Sequence, residues 1–234
     1  MSDQQLSSVS VVVPVGPAET DLAPFLSQLH SLAQAQQIIF VFCPQSEHLK
    51  QQLPDVDTRI VAQTAPAGRA AQLNAGSGVA RADYLWFLHL DSRFGGGQWQ
   101  ALGRAISRYP QRLHYYDLLF ESDGNGPMWL NSKGANLRSR WLGLPFGDQG
   151  FCLSRKQFKK LGGYPSDAPY GEDHLFIWRA HQQGVRLNNT DSVLTTSARK
   201  YAVKGWGELT LLYQWYWVRQ ALPEFFKLLK MRFL

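Results

Sequence analysis

Gly68-Arg69-Ala70-Ala71-Gln72-Leu73-Asn74-Ala75-Gly76, followed by Tyr84-Leu85-Trp86-Phe87-Leu88-His89-Leu90-Asp91-Ser92-Arg93, decides how the chain is read. The first stretch opens an Ala-rich helical pattern over 68–80, although Gly76 and Gly78 lower its helix propensity. The second is a continuous apolar run ending in a carboxylate, the signature of a strand buried on both faces. The same alternation holds upstream. Val9–Val15 is a β-branched run, with Pro14 near its exit, where a missing ladder donor is tolerable. Leu22, Phe25, Leu26, Leu29 and Leu32 recur at helical spacing behind Asp21, a candidate cap. Residues 38–42 make a second buried strand, 46–53 a short helix and 59–62 a brief third strand. Downstream, 98–108 carries another helical stripe and 114–121 suits a further strand. Strands separated by helices favour βαβ units, hence an α/β fold with a mostly parallel sheet and flanking helices. Ligands of such sheets sit beyond the carboxyl ends of the strands, which directs attention to 16–19, 43–46 and 91–94.

Composition narrows the function classes. The 234 residues fit one sizeable domain with an appendage, and 44% hydrophobic against 18% charged residues allows a core. The net charge is +6, and from Arg199 onward seven basic residues face two acidic ones, so the excess belongs mainly to the tail. Cys43 and Cys152 lie far apart without CxxC or Cys/His ligand spacing, which argues against a zinc module or a disulfide scaffold. Met1-Ser2-Asp3-Gln4-Gln5 lacks a basic segment followed by an apolar one, so no signal peptide is expected and a cytoplasmic compartment is the default. No run approaches the roughly 18 apolar residues of a spanning helix. The pI of about 9.4 raises nucleic-acid binding, but no helix-turn-helix, RNA-binding or zinc signature accompanies it. No nucleic-acid partner is expected.

Three further stretches join the opening two: Phe146-Gly147-Asp148-Gln149-Gly150, Gly171-Glu172-Asp173 before a helical segment, and Thr195-Thr196-Ser197-Ala198-Arg199-Lys200. Together they resemble family-2 glycosyltransferases of the GT-A fold. The likeness is greatest to a small bacterial subgroup reading G-R-A-x-Q-x-N-x-G and F-L-H-A-D-T-R, whose domain closes on T-S-A-R. It covers about residues 9 to 205, in the family's order. The resemblance implies a GT-A domain over 1–204, a tail over 205–234, and transfer of a sugar from a nucleotide-diphosphate donor to an acceptor hydroxyl, with inversion.

The chemistry of these residues agrees with that implication. A departing pyrophosphate needs neutralising, usually by a divalent metal, and a carboxylate fixed at a strand end suits Mg²⁺ or Mn²⁺. Asp91 is so placed. The family's D-x-D reads His89-Leu90-Asp91, leaving one carboxylate, which an ion that keeps waters and binds substrate phosphates tolerates. The other reading of Asp91 is a cap on the turn after the strand. The resemblance assigns the general base to the E-D pair, Asp173 first and Glu172 beside it; the bland alternative is the ordinary preference for acids in a first helical turn. Gly68 and Arg69 suit a diphosphate through a backbone turn and a planar guanidinium, with Asn74 on the base or ribose. Arg69 reads equally as a solvated charge at a helix start. Pro14, Val15 and Glu19 at the exit of the first strand, and Ser92 beside Asp91, complete the donor candidates. Asp148 and Gln149, ahead of a strand over 150–153, are candidates for the acceptor side or members of a turn. His30 and His48 read as solvated or packed helix residues. His89 reads as a core histidine with a minor metal role open, and His174 as a partner for Asp173.

Two places depart from the pattern. The family's Asn-Glu after the first strand is Gly16-Pro17-Ala18-Glu19, and its Asp-Gly-Gly-Ser-like end of the second is Phe42-Cys43-Pro44-Gln45-Ser46, with no carboxylate. Readout of base and ribose loses an acceptor there. A non-catalytic nucleotide-binding or scaffold protein on the same fold is therefore the rival reading. Beyond Gly205, apolar and aromatic residues dominate, Pro223 is expected to divide them into two helices, and Lys227, Lys230 and Arg232 interleave. Such a segment suits peripheral contact with an anionic membrane face. The alternative is packing on the domain or on a second subunit, as a homo-oligomer.

Overall fold

A computed structural model describes residues 8–233; the N-terminal segment read for a signal peptide lies outside them. Its strands are β1 (Val9–Val15), β2 (Gln37–Phe42), β3 (Ile60–Thr64), β4 (Tyr84–Phe87), β5 (Ser92–Arg93), β6 (Leu113–Phe120), β7 (Cys152–Ser154) and β8 (Leu187–Thr196). They form one sheet in the order β3-β2-β1-β4-β7-β6-β8-β5. Strands β3, β2, β1 and β4 pair in parallel, as the alternation of strands and helices requires. Val9, Val11, Val13 and Val15 face one core with Phe40, Phe42 and Trp86, while Val12 faces the other with Ile39, Val41 and Phe87. A sheet covered on both faces explains the unbroken apolar runs of β1, β2 and β4.

The second half departs from a parallel sheet. Strand β7 runs antiparallel to both β4 and β6, β6 and β8 are parallel, and β5 is antiparallel to β8. This reversal positions the site. An antiparallel β7 sets the start of its strand beside the end of β4 and the start of β6, so 146–150 meets 88–91 at the edge where β1, β4, β6 and β8 all finish. The β4 ladder stops at Phe87, and Leu88 to Asp91 leave the sheet as the wall of that edge.

The helices are α1 (Ala23–Leu26), α2 (Arg69–Val79), α3 (Gly96–Arg108), α4 (Met128–Leu137), α5 (Arg155–Lys160), α6 (Glu172–Gln182), α7 (Arg199–Lys204) and α8 (Trp206–Phe233). The helix expected over 22–32 is two short pieces, α1 and a 3₁₀ turn at Leu29–Leu32, and the helix expected over 46–53 is a 3₁₀ helix, Pro44–Gln52. In α2, a Cβ on Gly76 would come 2.5 Å from Val12 Cγ1, so this glycine lets the helix lie directly on the sheet. That close approach offsets its propensity cost of about 1 kcal/mol.

Helix α8 corrects the two-helix expectation: it continues through Pro223. A proline inside a helix removes one backbone bond to the residue four back. Here Pro223 and Arg219 are both exposed, so water is at hand to replace that bond. One side of α8 is docked on the domain: Trp217, Ala221 and Leu228 pack against the core that α2 and α6 cover, and Leu209 is buried with Met128 and Tyr201. No helix among the described residues is long and apolar enough to cross a membrane.

Candidate active site

At the strand-end edge lies a cavity of about 450 Å³, bounded by α4, the start of α6 and the docked side of α8. Its polar floor is Asp91, Asp148, Asp173 and Arg69. Its walls are mainly apolar, with Phe146, Tyr170, Tyr213, Trp206 and Trp217 contributing.

Asp91 does not cap its turn. The turn is closed by Ser92, whose N–H donates to the His89 carbonyl at 3.1 Å and whose hydroxyl accepts from the His89 N–H at 3.1 Å. Among the described residues no donor reaches the Asp91 carboxylate, which is half-buried and faces the cavity. Free carboxylate oxygens of this kind suit a hard divalent cation. No group of three or more His, Cys, Asp or Glu side chains placed to hold a metal exists among the described residues, so an ion held by Asp91 would take most of its ligands from outside the protein.

Asp173, in the first turn of α6, is gripped on both oxygens. Oδ2 accepts from the Gly147 N–H at 2.6 Å, and Oδ1 accepts from the His174 N–H at 2.9 Å. A Cβ on Gly147 would lie 3.0 Å from Asp173 Oδ2 and 3.3 Å from His89 Nε2, so glycine lets the loop approach both without crowding them. Arg69 pairs through Nε with Glu172 and stands 3.7 Å from Asp173 Oδ1. Burial opposes the charge on Arg69, but Asp173, Glu172 and Asp148 outweigh it and hold the guanidinium firmly protonated. Arg69 is thus a clamp between α2 and α6 rather than a solvated charge. Asp148 Oδ1 lies 2.8 Å from His89 Nδ1. Burial would raise the Asp148 carboxyl, yet His89, Lys200 and Arg69 together keep it below the usual carboxylate range.

The other anticipated residues lie around this floor rather than on it. Pro14 and Val15 are buried in β1, where the Val15 carbonyl accepts from Ser46 Oγ and Gln72 Nε2, each at 2.8 Å. Glu19 receives both nearby bonds of Arg199, at 3.0 and 2.9 Å, tying the β1 exit to the start of α7. Gly68 enters α2 at φ +129°, and Ser92 is buried in its turn. Asn74 faces away: its amide donates to the Tyr164 carbonyl at 2.8 Å and accepts from the Tyr164 N–H at 2.9 Å. Gln149 is fully buried, donating to the Tyr116 carbonyl at 2.7 Å and accepting from the Phe146 N–H at 3.1 Å. Both amides hold loops in place, and neither lines the cavity. The His174 ring does not bond Asp173. Its Nε2 accepts from Trp178 Nε1 at 2.9 Å, leaving Nδ1 to donate to Gln220 Oε1 at 2.8 Å, and burial lowers its proton affinity.

Sequence reasoning missed several cavity residues. Tyr213, Trp217 and Gln220 of α8 recur at i, i+4 and i+7, the spacing of one helix face, and that was the available signal. Gln220 also donates to the Tyr170 carbonyl at 2.8 Å, latching α8 to the loop before α6. Arg138 had no signal. It opens a π-helical turn, Arg138–Leu142, that extends α4. Burial pushes its pKa down to about 10, which still leaves it charged at neutral pH.

No known protein-family profile matches the chain, and no curated protein sequence does. Solved structures do resemble it. The S. aureus TarS fragment 1-349 in complex with UDP-GlcNAc superposes with a TM-score of 0.60 at 14% identity, over 81% of this chain and 58% of that one. A second crystal structure of S. aureus TarS 1-349 gives a TM-score of 0.62 at 14% identity, over 81% and 60%. This chain therefore spans less than two thirds of the TarS fragment. The shared architecture is the GT-A-type α/β fold, a curled eight-stranded sheet with flanking helices.

Proposed function

We propose that the chain is a glycosyltransferase that moves a sugar from a nucleotide diphosphate to an acceptor hydroxyl, with inversion. One observation carries this reading: a single cavity receives a carboxylate without a partner among the described residues, Asp91, and a second, Asp173, fixed by two backbone donors. The likeness to a fold solved with UDP-GlcNAc bound supports a sugar nucleotide as donor. Asp173 takes the proton of the acceptor hydroxyl; its oxygen bonds to the anomeric carbon while the bond from that carbon to the diphosphate oxygen breaks, and the electron pair leaves with the diphosphate. Attack opposite the leaving group inverts the centre. Asp91 would hold Mg²⁺ or Mn²⁺, which supplies neutralisation of the diphosphate charge. Gly147 and Arg69 fix Asp173, and His89 fixes Asp148 beside it.

A thermal-shift panel of sugar nucleotides, with and without metal, tests the donor. A ligand at a hundredfold excess over Kd stabilises by about 2.7 kcal/mol. For a domain of this size that raises Tm by roughly 5–10 °C, and metal should be required. No shift with any sugar nucleotide sinks the reading. Binding without hydrolysis or transfer would favour the non-catalytic alternative on the same fold.

The outward side of α8 supports a second proposal, peripheral contact with an anionic membrane surface from the cytoplasmic side. It exposes Leu211, Trp215, Leu222, Phe226 and Met231 beside Arg219, Lys227 and Lys230, and Trp129, Leu137 and Trp141 are exposed on and just after α4. Apolar burial plus basic charge is the chemistry of an interfacial segment. Deleting 205–234 is a poor test, because it would uncover the core beneath Trp217 and Leu228. The double variant Trp215→Glu and Phe226→Glu changes only exposed positions and is expected to lower sedimentation with phosphatidylglycerol vesicles about tenfold or more. Unchanged partitioning at low salt counts against membrane contact. Self-association without vesicle binding would assign this face to a second copy of the chain.

A further inference from the structure

Helix α6 starts without a side-chain cap: Gly171 precedes it at φ +62°, and Asp173 follows two residues later. Its first turn is tied instead to a directed chain of hydrogen bonds that runs through α8. Trp178 Nε1 can only donate, and it donates to His174 Nε2 at 2.9 Å. With Nε2 accepting, the proton of the neutral ring lies on Nδ1, which donates to Gln220 Oε1 at 2.8 Å. That settles which way the Gln220 amide faces, and its Nε2 donates to the Tyr170 carbonyl at 2.8 Å. A Cβ on Gly171 would come 2.5 Å from Gln220 Oε1, so the amide fills the space a side chain would take. The Tyr170 ring stacks on Tyr216 of α8, with centroids 4.5 Å apart. His174 also carries the N–H that holds Asp173 Oδ1. Gln220 therefore grips the residues on both sides of Gly171-Glu172-Asp173.

We infer that Gln220 is a positioning residue for the general base, which makes α8 part of the catalytic apparatus and not an appendage to it. The inference rests on the reading of Asp173 as the base. A base must stay within hydrogen-bond reach of the proton it takes, and a displacement of about 1 Å can cost about 10²-fold in rate. Gly147 and Arg69 hold the carboxylate itself, whereas Gln220 holds the backbone turn that carries it. A second bond between the same two helices, Gln182 Nε2 to Glu224 Oε2 at 2.8 Å, lies at the far end of α6 and serves as the comparison.

The first measurement needs no substrate. Amide hydrogen exchange, read by NMR on the full chain, follows the Gly147 and His174 N–H groups, both of which donate to Asp173. Gln220→Met keeps the length of the side chain without either hydrogen bond. It should lower protection at these two amides about tenfold or more, while β1 and β2 keep theirs. Gln182→Met should leave both amides as in wild type. The second measurement is turnover of the sugar nucleotide that raises Tm most. Gln220→Met should lower kcat by about tenfold to 10²-fold, with the donor KM within about twofold of wild type. Gln220→Glu adds a signature that altered packing would not produce. Its carboxylate still accepts from His174 Nδ1 but favours the imidazolium, whose Nε2 no longer accepts from Trp178. The other charged groups acting on His174 are Asp173 on α6, Arg138 on the π turn and Glu224 on α8, and this variant replaces none of them. The acid limb of kcat should therefore move up by about one pH unit or more, and above it Gln220→Glu should outperform Gln220→Met. Unchanged protection of Gly147 and His174 in Gln220→Met overturns the proposal, as does an equal loss in β1 and β2. An acid limb in Gln220→Glu that matches wild type also overturns it. A wild-type chain that turns over no sugar nucleotide removes the reading of Asp173 instead, whatever the exchange shows.

Discussion

Asp173→Asn is expected to lower kcat by about 10²- to 10⁴-fold, the usual contribution of a general base, with little change in donor affinity. The substitution keeps the shape and one acceptor oxygen, so the Gly147 N–H at 2.6 Å retains a partner. It removes the basic oxygen, and the new amide must face either the His174 N–H or Arg69. Some stability loss should follow, which a melting curve separates from lost chemistry. Glu172→Gln is the internal comparison. Glu172 meets Arg69 and does not line the cavity, so its effect on kcat should be smaller by at least about tenfold. Asp173→Asn retaining more than about a tenth of wild-type kcat would remove Asp173 from the role.

The second large effect is expected at Asp91. Asp91→Asn should abolish the metal dependence of donor binding and lower kcat/KM by about 10²-fold or more, because it is the protein's one proposed ligand to the ion. Folding should be nearly untouched: Ser92 closes the turn, and no donor depends on the Asp91 carboxylate among the described residues. The measurement is nucleotide diphosphate affinity as a function of Mn²⁺ concentration for both proteins. A metal dependence that survives the substitution places the ion elsewhere.

The parts of this structure legible in the sequence are those set by local physics. Strands β1, β2 and β4 lie between two covering layers, so their apolar runs announce them, and Asp91 follows from where β4 ends. Strand β7 has three residues and gains its direction from its neighbours, so the antiparallel turn of the sheet had no local trace. Asn74 and Gln149 sit among motif residues and look like ligand groups, but an amide next to a turn binds backbone as readily as substrate. The aromatic run of α8 was ambiguous for another reason. Trp215 points out at 62% exposure while Trp217, two residues on, packs inward, and both sides are aromatic, so periodicity does not separate lining from surface. Arg138 reaches the cavity only through the tertiary arrangement of the π turn, Leu144 and Phe146, which no spacing encodes.

The most direct measurement is a crystal of the wild-type chain soaked with manganese and a sugar nucleotide, with the ion located by anomalous scattering. The expected map puts manganese about 2.0–2.3 Å from an Asp91 oxygen and on the diphosphate, with Asp173 across the cavity facing the anomeric carbon. Manganese bound away from Asp91, or a sugar whose anomeric carbon lies outside the cavity that holds Asp173, would contradict it.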